Sequence, residues 1–366
     1  MLLRYDPREG ARNLLLNCLG VVPGQRIVIA AEDPAEEFYD AFAAACILEV
    51  ADELGCQASL LPCPRVCGPE ALPASIFEAA EGADHIVFQA RAGDQVRFTR
   101  LPGSAAKTMS YALDIGLLGS QFCTLHHLFM REVLERFESE LNTAGLWRIT
   151  CPLGTDVSGT QVPVDGNAAE VEDFTLLLFP VPIHRPVSCA TMNGRVALAH
   201  WLMSTANHVY ENSFLKLEEP VMAVIEDGRI ADFEGPKELV RRIRIHYGRV
   251  AKLYDIDEDV VHSWHAGIHP KAFYPLSATS NIDRWGSVAF ANPRYLHFHT
   301  CGNYAPGEIA WSLFDATVEL DGRVYWEAGR FTFLDKPDIR GRLSHYDLDD
   351  RAVEQRFDIG MTCSSS

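Results

Sequence analysis

The sequence predicts an α/β amino-terminal lobe, a parallel sheet with flanking helices, followed by an α+β carboxy-terminal lobe that is mostly antiparallel. Three observations lead there. Up to about residue 145, short continuous apolar runs alternate with stretches of helical period. From about residue 147, strand-like runs follow one another, and Asp227-Gly228 and Asp321-Gly322 supply the tight turns of hairpins. The chain also has 366 residues, more than one core usually organises, so two domains are expected, at 1–145 and 146–366.

In the first lobe, GQRIVIAA (24–31) reads as a buried parallel strand. Asp33-Pro34-Ala35-Glu36 then has the form of a helix start, with Asp33 as cap, Pro34 at the first helical position and Glu36 completing a capping box. Phe38, Phe42, Cys46 and Val50 recur at helical spacing, and Gly55 is placed to end that helix. CQASLLP (56–62) and ADHIVFQA (83–90) are the next strands, so a right-handed parallel crossover is expected. A last helix, from about Thr124 to Asn142, carries Leu128, Val133, Leu134 and Phe137. Its His126 and His127 read as solvated or capping residues. No G-x-G-x-x-G follows a strand and no Walker loop is present, so this lobe reads as a Rossmann-like scaffold and one wall of a cleft. In the second lobe, WRITCPLGTDVSG, FTLLLFPVPI, VMAVIEDGRIADFEG, YLHFHTCG and ATVELDGRVYWEAGRF read as strands. Helices are expected over 236–254 and 196–205.

Charge excludes some partners. Fifty acidic residues against 32 basic ones leave a net charge of −18, which repels nucleic acid and anionic membranes. Apolar runs such as FAAACILEVA fall short of the ~20 residues that a membrane span needs, and the first residues do not read as a signal peptide; a cytoplasmic protein is expected. Ten cysteines are scattered along the chain and are expected as reduced thiols.

Histidine is the unusual feature. Nine of the 13 histidines fall between positions 184 and 299. His200, His208 and His246 lie in or beside helical stretches and are read as surface or packing residues. In RYLHFHTCG, strand alternation puts Tyr295, His297 and His299 on one face, a workable metal-binding pair. In HSWHAGIHP, the odd spacing of His262 and His265 puts them on opposite faces of an extended chain. Gly267 allows a bend, so His265 is the preferred ligand, His262 an acid–base or supporting group, and His269 an exposed residue. Asp315 sits in an apolar run, where a lone carboxylate is costly without a partner or a metal. It supplies the carboxylate that a two-histidine iron site requires. His184, between Pro182 and Pro186, is a fourth candidate. H-E-x-x-H and G-x-S-x-G are both missing.

The order of these motifs resembles the M29 aminopeptidase (aminopeptidase T) superfamily, which includes the 2,5-dihydroxypyridine dioxygenases. CPLGTDVSG (151–159), FPVPIHRPVS, VMAVIEDGRIADFEG, HSWHAGIHPKA, LHFHTCGNY and WSLFDATVELDG follow one another as the family's motifs do, over roughly residues 145–330. The departures are informative. His184 falls near the peptidases' first Glu and Ser263 at their second, and the final His-x-Asp becomes Leu313-Phe314-Asp315. Losing both bridging carboxylates argues against a two-metal hydrolase. The resemblance therefore implies that 146–366 holds a mononuclear Fe(II) site with His265, His299 and Asp315 as ligands, His184 as a further one, and His297 or His299 replacing the histidine absent at 313. His262 or Tyr304 would move protons or orient a small chelating hydroxylated aromatic or heteroaromatic substrate that reacts with O2. A zinc or cobalt aminopeptidase-like hydrolase is the alternative, and a metal-free, non-catalytic homologue a third. The resemblance also implies a homo-oligomer.

Overall fold

The computed structural model describes residues 5–66, 71–96, 99–161, 176–204, 210–302 and 308–361. Its first lobe holds strands β1 (Arg26–Glu32), β2 (Gln57–Cys63), β3 (His85–Gln89) and β4 (Ala106–Ser110). They are joined by β7 (Leu176–Phe179), which arrives after the hairpin of β5 (Leu146–Thr150) and β6 (Asp156–Thr160). The sheet is parallel throughout, in the order β2-β1-β3-β4-β7. The apolar run of β7 thus completes the first lobe's sheet from beyond residue 145.

The helix expected from Asp33 begins later. Asp33 caps only a short 3-10 turn, Pro34–Glu36, which Glu37 ends in the left-handed region at φ 54°. The α-helix proper spans Ala41–Glu53 and is capped by Asp40, whose carboxylate accepts the Ala43 N–H at 2.8 Å. Ala43, Cys46, Ile47 and Val50 form its buried stripe, and Phe42 points to solvent. Neighbouring strands leave β1 on either side, so a crevice would open at the carboxyl ends of β1 and β3. The chain fills it with its own ion pair. Arg91 reaches the buried Glu32 carboxylate through Nε at 2.9 Å and lies over the Phe38 ring at 4.5 Å.

The second lobe is a sandwich of two sheets. The eight-stranded sheet runs in the order β13-β12-β9-β6-β5-β17-β18-β19, using β9 (Asn193–Leu198), β12 (Val221–Glu226), β13 (Arg229–Glu234), β17 (Thr317–Leu320), β18 (Arg323–Glu327) and β19 (Arg330–Phe331). The six-stranded sheet runs β11-β10-β16-β15-β14-β8, using β8 (Val187–Ser188), β10 (Trp201–Ser204), β11 (Leu215–Lys216), β14 (Val261–Ala266), β15 (Tyr295–Thr300) and β16 (Ile309–Phe314). Both Asp-Gly pairs turn hairpins with positive φ, 46° and 71° at Asp227-Gly228 and 48° and 75° at Asp321-Gly322. The expected helix over 196–205 is instead β9 and β10, divided at His200 with φ 67°. The run VALAHWLMST is apolar on every side, so no polar stripe distinguishes helix from strand, and pairing with β12 and β16 decides. The helix Lys237–Tyr254 forms as expected.

Trp147, Trp264, Trp311 and Trp326 are fully buried in the sandwich core. The opposite face of the six-stranded sheet meets the first lobe, where Trp201 and Tyr295 join Trp285 in the first lobe's core. Among the described residues no helix is long and apolar enough to cross a membrane.

Candidate metal centre

Three antiparallel strands set out the imidazoles. His265 on β14 pairs with His297 on β15, which pairs with Ser312 on β16; one step along that face, Ser263 pairs with His299. Alternation puts Leu296, Phe298 and Trp311 into the sandwich core, and so turns Tyr295, His297 and His299 to the face that meets the first lobe. The left-open choice between His297 and His299 therefore resolves into both. Ring centroids lie 5.4 Å apart for His265–His297, 5.0 Å for His265–His299 and 4.8 Å for His297–His299.

Each of these rings has a nitrogen out of contact with solvent and without a hydrogen-bond partner: Nδ1 of His265, Nδ1 of His297 and Nε2 of His299. Burial holds His265 and His297 well below the ordinary imidazole range, reinforced in both by the neighbouring imidazoles. Both are neutral at physiological pH and keep a free electron pair.

A β-bulge overturns the expectation that His262 faces away. The β14–β15 register shifts between Val261 and Ser263. His262 is thereby turned toward the same cluster, with Nδ1 3.0 Å from Ser263 Oγ and 3.9 Å from Glu308 Oε1. The other oxygen of Glu308 lies 2.9 Å from His299 Nδ1. Glu308 was not singled out from the sequence. It directly precedes the apolar run of β16, and it reaches His299 only because the two strands are antiparallel.

Two expected ligands have other partners. Asp315 is held by Arg294 in a two-point ion pair, Nε to Oδ1 at 2.6 Å and Nη2 to Oδ2 at 2.7 Å. Its backbone, at φ 55°, turns the corner after β16. The partner of this partly exposed carboxylate is thus a guanidinium. His184 is buried between Phe137 and Trp264, and its ring centroid is 5.3 Å from that of His265, but both its nitrogens are used. Nε2 accepts the Ala266 N–H at 3.1 Å, so Nδ1 carries the hydrogen and donates to the Arg185 carbonyl at 2.8 Å. Burial lowers its pKa to about 4. His184 is a peg between the proline-flanked loop and β14, with no electron pair left for a metal. His269, expected at the surface, is fully buried edge-on to Phe122. Leu313 lies in the sandwich core on the face away from the histidines, so a histidine there would not have joined the cluster. Tyr304 lies outside the described residues.

The donor chemistry fits a divalent transition metal, since imidazole nitrogen suits iron, zinc, copper and nickel. The spacing fits as well. Three imidazoles bound through nitrogen at ~2.0–2.1 Å to one tetrahedral ion have centroids roughly 5 Å apart. His265 and His297 stack within 10° of parallel, and among the described residues no three His, Cys, Asp or Glu side chains stand as a ready-made metal group. Among the described residues, Glu308 is a carboxylate in contact with the cluster, through His299 and His262.

No family model matches the sequence, and no curated protein matches it. Among solved structures, that of 2,5-dihydroxypyridine dioxygenase from Pseudomonas putida superposes with a TM-score of 0.57, covering 88% of this chain and 95% of that one at 14% identity. Wild-type AmpT from Thermus thermophilus gives a TM-score of 0.49 at 12% identity, covering 89% and 98% of the two chains. The likeness read in the order of the motifs is therefore a likeness of fold, and the chain shares the architecture of the dioxygenase structure over nearly its whole length.

Proposed function

We propose that this chain is a metal-dependent enzyme whose ion is held by His265, His297 and His299, and that it uses O2 to oxidise or cleave a small chelating hydroxylated aromatic or heteroaromatic compound. One observation carries the reading. Three imidazoles on one sheet face each bury a nitrogen without a partner. What sets these three apart is convergence, with ring centroids 4.8–5.4 Å apart, so that one shared ion would satisfy all of them. Iron(II) is the proposed ion; zinc and cobalt would accept the same donors. When bound, iron would supply a place where O2 and an electron-rich substrate meet.

The chain's own residues define the rest. Three neutral donors leave the charge of a divalent ion uncompensated, which favours a substrate carrying adjacent hydroxyl or hydroxylate oxygens. The first lobe packs against the same sheet face at Tyr295 and excludes water there. His262, at the cluster's more open edge, is placed to take or return a proton of a hydroxylated substrate. The dioxygenase chemistry of the fold neighbour supports this choice over hydrolysis.

The test is a comparison of two activities. Protein prepared without oxygen and loaded with Fe(II) is given a panel of dihydroxylated benzenes and pyridines at an oxygen electrode. The zinc and cobalt forms are given a panel of aminoacyl amides. Oxygen uptake that depends on substrate and Fe(II) is expected. Amine release without oxygen uptake would replace the proposal with the hydrolase, and failure to take up any of the three ions would end it.

A further inference from the structure

The metal-binding reading leaves a buried carboxylate to be explained. Glu308 is almost inaccessible to solvent, an expensive place for a negative charge. Its Oε2 lies 2.9 Å from His299 Nδ1, its Oε1 lies 3.9 Å from His262 Nδ1, and its backbone carbonyl accepts the Tyr210 hydroxyl at 3.2 Å. Against an ionised carboxylate, which only accepts hydrogen bonds, the hydrogen on His299 sits on Nδ1. That leaves Nε2 as the nitrogen able to present an electron pair, and it is the one that is buried and has no partner. The bulge that breaks the β14–β15 register brings His262 to the same carboxylate.

We propose that Glu308 is the positioning residue of this centre: one carboxylate that fixes the tautomer and ring orientation of His299 and tethers His262 beside it, so that His299 offers Nε2 to a divalent transition-metal ion. The inference rests on the three-imidazole reading and differs from the site expected from the motifs, in which the acidic residue was itself a ligand. Here the acidic residue binds the histidine, and the histidine binds the ion. Outer carboxylates of this kind orient imidazoles and raise their basicity, and losing one typically weakens metal binding about 10–100-fold.

The experiment uses the full-length protein with histidine labelled by nitrogen-15, stripped of metal, as wild type, Glu308→Gln and Glu308→Ala. Long-range proton–nitrogen spectra read the tautomer of His299, and titration with Co(II) against a chelator reads affinity. The wild type is expected as the Nδ1–H tautomer. Glu308→Ala should lose that preference and bind Co(II) about 10–100-fold more weakly. Glu308→Gln keeps an acceptor of the same shape, so it should keep the tautomer, shift the Nδ1 resonance and lose less affinity. If Glu308→Ala is too unstable to study, the glutamine variant decides: an unmoved resonance with wild-type affinity overturns the proposal. Wild-type tautomer and affinity in Glu308→Ala also overturn it, while Co(II) binding by the wild type would leave the three-imidazole reading standing. A wild type that binds no Co(II) overturns both.

Discussion

Acid should unfold this protein earlier than its many carboxylates alone would suggest, because imidazoles are buried outside the three-histidine cluster as well. His127, His246 and His269 are each less than 10% exposed. Burial lowers the pKa of His127 to about 4, helped by Arg131 and His126, and that of His246 to about 4, helped by Arg249. His269 falls to about 3 through burial, His127 and Lys271. In the unfolded chain all three return to about 6.5. Since the folded pKa is the lower one, the unfolded chain takes up protons first, and stability falls as pH drops from about 6.5 toward 4. Above pH 7 the three contribute nothing. At pH 5.5 each costs about 1.4 kcal/mol, so together they remove about 4 kcal/mol, a large part of the 5–15 kcal/mol that holds typical domains folded. Urea unfolding at pH 7.5 and 5.5, in the presence of a chelator, measures this. His246→Leu should remove about 1.4 kcal/mol of the pH dependence. Stability that changes by less than about 1 kcal/mol between the two pH values would refute the reasoning.

Three substitutions test the other structural assignments. Asp315→Asn leaves the buried Arg294 guanidinium facing a neutral amide; because the carboxylate is partly exposed, the expected loss is about 2–3 kcal/mol in urea unfolding, with metal content unchanged. His184→Ala strands the Ala266 N–H and opens a hollow among Phe137, Trp264 and Trp326. It should cost about 3 kcal/mol yet leave Co(II) affinity within a few-fold of wild type, whereas a ligand role would abolish binding. Gly267→Ala would place a Cβ 2.2 Å from the Asn292 carbonyl oxygen, so a loss above about 3 kcal/mol, or no soluble protein, is expected; wild-type thermal stability would contradict that packing.

Much of the fold was legible because its signals are local. Apolar runs, Asp-Gly turns and the amphipathic stripe of Lys237–Tyr254 each act within a few residues. The face shared by His297 and His299 was legible for the same reason, since alternation along one strand needs no knowledge of neighbours. The errors share a different cause. His262 was assigned to the wrong face because a bulge comes from pairing between β14 and β15, and no residue type in HSWHAG announces it. Asp315 read as a lone buried carboxylate because its partner, Arg294, lies 21 residues away and meets it only where the chain leaves β16. His184 looked available because the N–H that occupies its Nε2 belongs to Ala266, 82 residues later. Glu308 gave no local signal at all; its role exists only in the register that brings the start of β16 to the end of β15. Where a side chain's role depends on a partner brought in by tertiary pairing, spacing along the chain could not reveal it.

The central claim is that one cation is shared by His265, His297 and His299. Crystals of the full chain grown with Co(II), measured at the cobalt absorption edge, locate the ion directly. The account predicts a single anomalous peak bound by those three imidazoles, with Glu308 on the far side of His299 and Asp315 still paired with Arg294. A peak on Asp315 or His184, or no peak at this face in crystals soaked to saturation, would contradict it.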